Sequence, residues 1–173
     1  MIVQILSNTP LWVWGLLTAL LALGFNQARS RTVGLPRLVL MPLGMGALSL
    51  WGTVSAFGTS AAVLGGWLAA CVLLLLIVTQ IRLPASVSYD RDTRQLALPG
   101  SWIPMALILG IFITKYAVGV SLAIQPDLKA NASFMLAIAT LYGVFSGIFA
   151  GRTVRLLRLA IQPAANPVPV LNA

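Results

Sequence analysis

Five apolar stretches, parted by short polar or charged segments, dominate the chain. They cover about residues 10–27, 38–57, 61–81, 102–125 and 133–152. Each approaches or exceeds the ~20 residues that a helix rising ~1.5 Å per residue needs to cross a bilayer. Pro10 suits a helix start, where its missing N–H costs nothing. Pro42 falls in the first turns of the second stretch, and Gly58-Thr59-Ser60 reads as the turn before the third. The third contains the strongest lipid signal, CVLLLLIV. The fifth continues as a helix through TVRLLRL, and residues 161–173, with three prolines, read as an irregular tail.

One interhelical segment has a different period. In ASVSYDRDTRQLALPG, residues 85–100, Val87 and Tyr89 alternate with polar residues, and Leu96 and Leu98 do so again beyond the turn-prone Asp90–Thr93. This alternation predicts a short β-hairpin. The expected fold is therefore an all-α membrane protein: one domain over residues 1–160, five transmembrane helices, and a short cytoplasmic β-hairpin between helices three and four.

Composition agrees with lipid as the main solvent. Of 173 residues, 59% are hydrophobic and 8% charged, against roughly 25% charged in soluble domains. The net charge of +8 comes from eleven Lys/Arg against three Asp. Arg29, Arg31 and Arg37 follow the first stretch; Arg82, Arg91 and Arg94 the third; Arg152, Arg155 and Arg158 the fifth. Lys129 alone lies on the other side. This asymmetry predicts an outer N-terminus and a cytoplasmic C-terminus in a bacterial inner membrane, and it accounts for the charge without nucleic acid. Trp12, Trp14, Trp51 and Trp67 then fall toward the outer ends of their helices and Trp102 toward the inner interface. The N-terminus has no basic segment of the kind that opens a cleaved signal peptide.

The charge that needs a reason is Lys115, near the middle of the fourth stretch. No Asp or Glu lies in any of the five. A cation at mid-membrane costs about 2.5–3.5 kcal/mol on the insertion scale. Lys115, Gly119 and Ala123 share a helix face, with Ile111 one turn before. Three readings stay open: the lysine snorkels along its apolar stem; it joins an internal network with Thr114, Tyr116, Tyr142 or Ser146; or it holds an anionic ligand or a partner's carboxylate. Lys115, Tyr116 and Tyr142 are the candidate ligand or partner residues. A second signal is the spacing of Ala139, Gly143, Gly147 and Gly151, four apart on helix five, with Gly66 in a weaker version on helix three and Gly119 on helix four. Small residues at this spacing allow close helix approach.

Catalytic chemistry has little to draw on. The chain has one cysteine, Cys71, no histidine and no glutamate. That argues against a disulfide, a thiol pair, a protein-held metal or a haem site, so no cofactor and no enzyme activity are expected.

The stretches PRLVLMPLGMGALSL, VSYDRDTRQLALPGSWIPMALIL, LGIFITKYAVG and the closing GRTVRLLRL together resemble the CcdC-like group of small bacterial membrane proteins and its uncharacterised relatives. The resemblance covers about residues 34–159. It implies a helical protein of the inner membrane, some of whose relatives are linked by name to cytochrome c biogenesis; without His or a Cys pair, no such activity is carried over. The expected function is a non-catalytic membrane subunit or assembly factor that binds another membrane protein or its own copy. The alternative is a small oligomeric transporter or channel with Lys115 in an anion path.

Overall fold

The structure, a computed structural model, describes residues 9–82, 87–90 and 93–161. Five helices are long and apolar enough to cross a membrane: α1 (Leu11–Ala28), α2 (Leu35–Phe57), α3 (Ala61–Gln80), α4 (Ile103–Ile124) and α5 (Ala132–Ile161). A 3-10 turn, Pro126–Ala130, joins α4 to α5. The ends are set by local chemistry. Asn131 accepts a hydrogen bond from the Phe134 N–H at 3.0 Å, capping α5. Gly58, at φ 74°, closes α2 by donating its N–H to the Val54 carbonyl at 2.8 Å, a backbone conformation that favours glycine. The expected irregular tail lies outside the described residues apart from Ile161, which ends α5.

The all-α expectation needs one correction. The hairpin is present as β2 (Ser88–Asp90) and β3 (Gln95–Leu98), but β3 also pairs with a third strand, β1 (Arg31–Gly34). The antiparallel sheet has the order β1-β3-β2, with Val33 and Tyr89 both opposite Leu96. β1 comes from the basic segment between α1 and α2. Its Arg-Thr-Val-Gly sequence reads by charge as a topogenic loop, whereas Val33 is buried against Leu96 and Leu38. Leu156, Leu157 and Leu159, at the end of α5, pack against that cluster. The sheet thus closes one end of the bundle, and α5 extends past the apolar stretch to carry it.

The helices form two groups. In the first, α5 packs along α3 and, less extensively, against α2. A Cβ added to Gly143 would meet the Trp67 carbonyl oxygen; one at Gly147 would meet the Cys71 carbonyl oxygen; one at Gly151 would lie 2.8 Å from Val78 Cβ. Ala139 and Ala70 are buried in the same seam, and at Gly66 a Cβ would meet Leu136 Cδ1. The small stripes of α3 and α5 therefore face each other, and two helices approach with backbone against backbone.

In the second group, α1 packs chiefly along α4. Gly24 lies against Met105, and Phe25 meets Trp102 edge-on with ring centroids 6.4 Å apart. The two groups touch where Phe145 lies against Gly110, and again at the far end, where Val118 joins Phe57, Val63 and Ala139.

Candidate ligand cavity around Lys115

Alongside these contacts the groups part and leave a cavity of about 900 Å³. Its walls are α1 from Pro10 to Leu20, α2 at Met45, Leu48 and Ser49, α4 from Ile108 to Ile124, and α5 at Tyr142, Phe145, Ser146 and Phe149. Lining residues such as Pro10, Trp12, Ala123 and Ile124 stand at the end away from the sheet. Toward the sheet the cavity stops at Leu20, Ile108 and Phe149, beyond which Gly24–Met105 and Phe25–Trp102 close the gap.

Lys115 projects into this space. Its Nζ sits 4.8 Å from the centroid of the Tyr142 ring, within the range of a cation–π attraction. A Cβ added to Gly52 of α2 would lie 2.5 Å from the same nitrogen. The lysine therefore reaches from α4 across the α5 tyrosine to α2. Among the described residues no carboxylate pairs with the ammonium and no group accepts a hydrogen bond from it. Nearby hydroxyls are already committed. Ser49 Oγ donates to the Tyr142 carbonyl at 3.3 Å and accepts from Trp67 Nε1 at 3.1 Å. Ser146 Oγ donates to the Tyr142 carbonyl at 2.9 Å, and Thr114 Oγ1 to the Gly110 carbonyl at 2.7 Å. Tyr116 shares a hydrogen bond with Thr9 at 2.6 Å, which ties the start of α1 to α4.

The three candidates read from the sequence, Lys115, Tyr116 and Tyr142, thus line one cavity. Tyr142 is only 4% exposed, its ring turned under the lysine. The face of Ile111, Lys115, Gly119 and Ala123 lines the cavity as well. At Gly119 a Cβ would meet nothing within 4 Å, because this face of α4 looks onto the cavity, while Val118 beside it turns toward the α5 side. Sequence reasoning missed Gly52. The signal that points to it is the run of small residues Ser49, Gly52 and Ala56 along one side of α2.

Several arginines stand at the sheet end, and the buried Nε of Arg155 has no hydrogen-bond partner among the described residues. Arg29 lies over the Phe25 ring at 4.9 Å, and Arg155 Nη2 donates to the Arg82 carbonyl at 3.1 Å. Arg31 Nη2 donates to Gln27 Oε1 at 3.3 Å; burial, and then the charge of Arg37, hold its pKa below the usual value. Among the described residues no group of three or more His, Cys, Asp or Glu could hold a metal ion.

The model of a family of unknown function, DUF6622, matches residues 1–167. The chain belongs to that family. No relation of this DUF6622 protein to the CcdC-like group is shown. No curated protein and no solved structure matches the chain.

Proposed function

We propose that this DUF6622 protein is a non-catalytic protein of the bacterial inner membrane that binds an apolar molecule carrying an anionic group in the cavity around Lys115. The observation that carries the reading is an ammonium without a hydrogen-bond acceptor among the described residues, placed in an apolar cavity of about 900 Å³. That volume lies in the ~300–1,000 Å³ range of small-molecule sites. One ammonium set among hydrocarbon walls suits an amphiphilic anion of that size. This favours a small ligand over the partner subunit or assembly factor expected from the sequence. A through-path for ions, the other expectation, has less support, because side chains close the cavity toward the sheet.

The test compares wild type with Lys115→Leu and Lys115→Arg. Losing the cation–π contact costs about 0.5–2 kcal/mol, and removing a cation from mid-membrane returns about 2.5–3.5 kcal/mol, so the balance does not destabilise the variant. The Leu variant is expected to melt within a few degrees of wild type. Organic extracts of the purified proteins should contain a stoichiometric anionic compound for wild type and none for the Leu variant. The Arg variant should recover it in part, since a planar fork differs from a compact ammonium. Equal extracts from wild type and Leu would sink the reading and leave a snorkelling lysine.

The proposed orientation puts the sheet and nine arginines in the cytoplasm, and the end that carries Trp12 and Ile124 outside. In a Cys71→Ala background, single cysteines at Thr59 and Asn131 should react with an impermeant thiol reagent on intact cells. One at Thr93 should react only after lysis. Labelling of the Thr93 position on intact cells reverses the topology.

A further inference from the structure

Resting on the reading of the cavity as a ligand site, we infer that its ligand is a single-chain lipid with one negative charge, a long-chain carboxylate. Three features select it. First, among the described lining residues Lys115 is the one charged side chain. Phosphate sites are typically built from guanidinium forks or the free N–H groups of a helix start. Lys115 instead lies in the interior of α4, eight residues or more from either end, where backbone N–H groups are used within the helix. One cation neutralises a carboxylate. A phosphate monoester carries about −1.5 to −2 at pH 7 and would leave charge uncompensated in an apolar site, which is costly.

Second, the walls on both sides of Lys115 are hydrocarbon: Leu16, Leu20, Leu48, Ile108, Ile111 and Val120. The hydroxyls of Ser49 and Ser146 donate to a backbone carbonyl, so a sugar or a polar headgroup larger than a carboxylate finds few free partners. Third, the cavity is long. From Ile108 to Ile124 it follows α4 for about 24 Å, and its volume is about 900 Å³. Lys115 divides that length into arms of about 10 and 14 Å, both lined by hydrocarbon; one acyl chain enters an arm with its carboxylate at the ammonium, whereas a phospholipid must also seat a glycerol headgroup where few free polar partners stand. The ring of Tyr142 fixes the ammonium from one side and leaves its cavity side for the carboxylate.

Native mass spectrometry of the purified full chain in non-ionic detergent tests this with four probes: stearate, octadecanol, octadecyl phosphate and distearoyl phosphatidylglycerol. Stearate is expected to bind one per chain, at least ten-fold more tightly than each of the others. Lys115→Leu is expected to lower stearate binding to the level of octadecanol. If octadecanol equals stearate in wild type, the charge does not select the ligand and the inference fails. If octadecyl phosphate or phosphatidylglycerol is preferred and that preference depends on Lys115, the single-chain carboxylate is wrong while the cavity reading stands. If none of the four binds in a Lys115-dependent way, both fall together. Should the Leu variant not fold, the wild-type ranking of the four probes decides alone.

Discussion

Gly147→Leu is expected to melt at a clearly lower temperature than wild type in detergent. Gly147 sits in the middle of the close α3–α5 seam, between Gly143 and Gly151. A Cβ there would meet the Cys71 carbonyl oxygen and lie 2.8 Å from Leu74 Cβ. The first of these is backbone, which cannot turn aside as a flexible side-chain tip can. Three further carbons must therefore push the helices apart, and the neighbouring contacts at Gly143 and Gly151 loosen with them. Overpacking of this kind costs on the order of 1–3 kcal/mol, or roughly 2–4 °C per kcal/mol for a chain of this size. Two substitutions calibrate the result. Ile148→Leu keeps volume and should be nearly silent. Gly44→Ala adds a methyl group where nothing lies within 4 Å and should also be silent. If Gly147→Leu melts with Ile148→Leu, the small-residue seam is not what holds α5 to α3.

That seam was legible from residue spacing alone, and so were the five helices. Both are local, periodic properties of the chain: an apolar run has a length, and a stripe has a period of four. The hairpin was legible for the same reason, since Tyr89 and Leu96 alternate with polar neighbours. β1 was not. Its two inward contacts come from Val33 in a segment whose arginines announce a different role, and strand pairing across more than sixty residues leaves no mark in either segment by itself. The cavity was legible in part. Lys115 and the face it shares with Gly119 and Ala123 were visible as an anomaly in an apolar stretch. What the face looks onto depends on how the two helix groups meet, an arrangement set by tertiary contacts such as Gly110 with Phe145 and the cluster around Val118. Gly119 shows the consequence: the same spacing that means close packing on α5 means an open wall on α4. Small residues permit approach; they do not compel it.

Leu96→Ala is expected to give the largest loss at the sheet end, on the order of 2–5 kcal/mol. Leu96 is 0% exposed, the most completely enclosed leucine of the described chain. It lies opposite Val33 on one side and Tyr89 on the other, and belongs to the cluster against which the α5 leucines pack. Truncation leaves a cavity beneath a three-stranded sheet, which has little else to hold it, since strands this short are marginal without a packed face. The loss should therefore show locally before it shows globally. Trypsin cleavage after Arg94, in the turn between β2 and β3, should be faster in the Leu96→Ala protein at temperatures where the helices remain folded. Ala97→Ser, on the exposed face of the same strand, changes polarity without touching the cluster and should cut at the wild-type rate. If the two variants are cleaved alike and both as slowly as wild type, Leu96 is not what fastens the sheet to α5. If Leu96→Ala is cut faster while its helices keep their melting temperature, the sheet is a separately opening unit that α5 holds down through Leu156, Leu157 and Leu159.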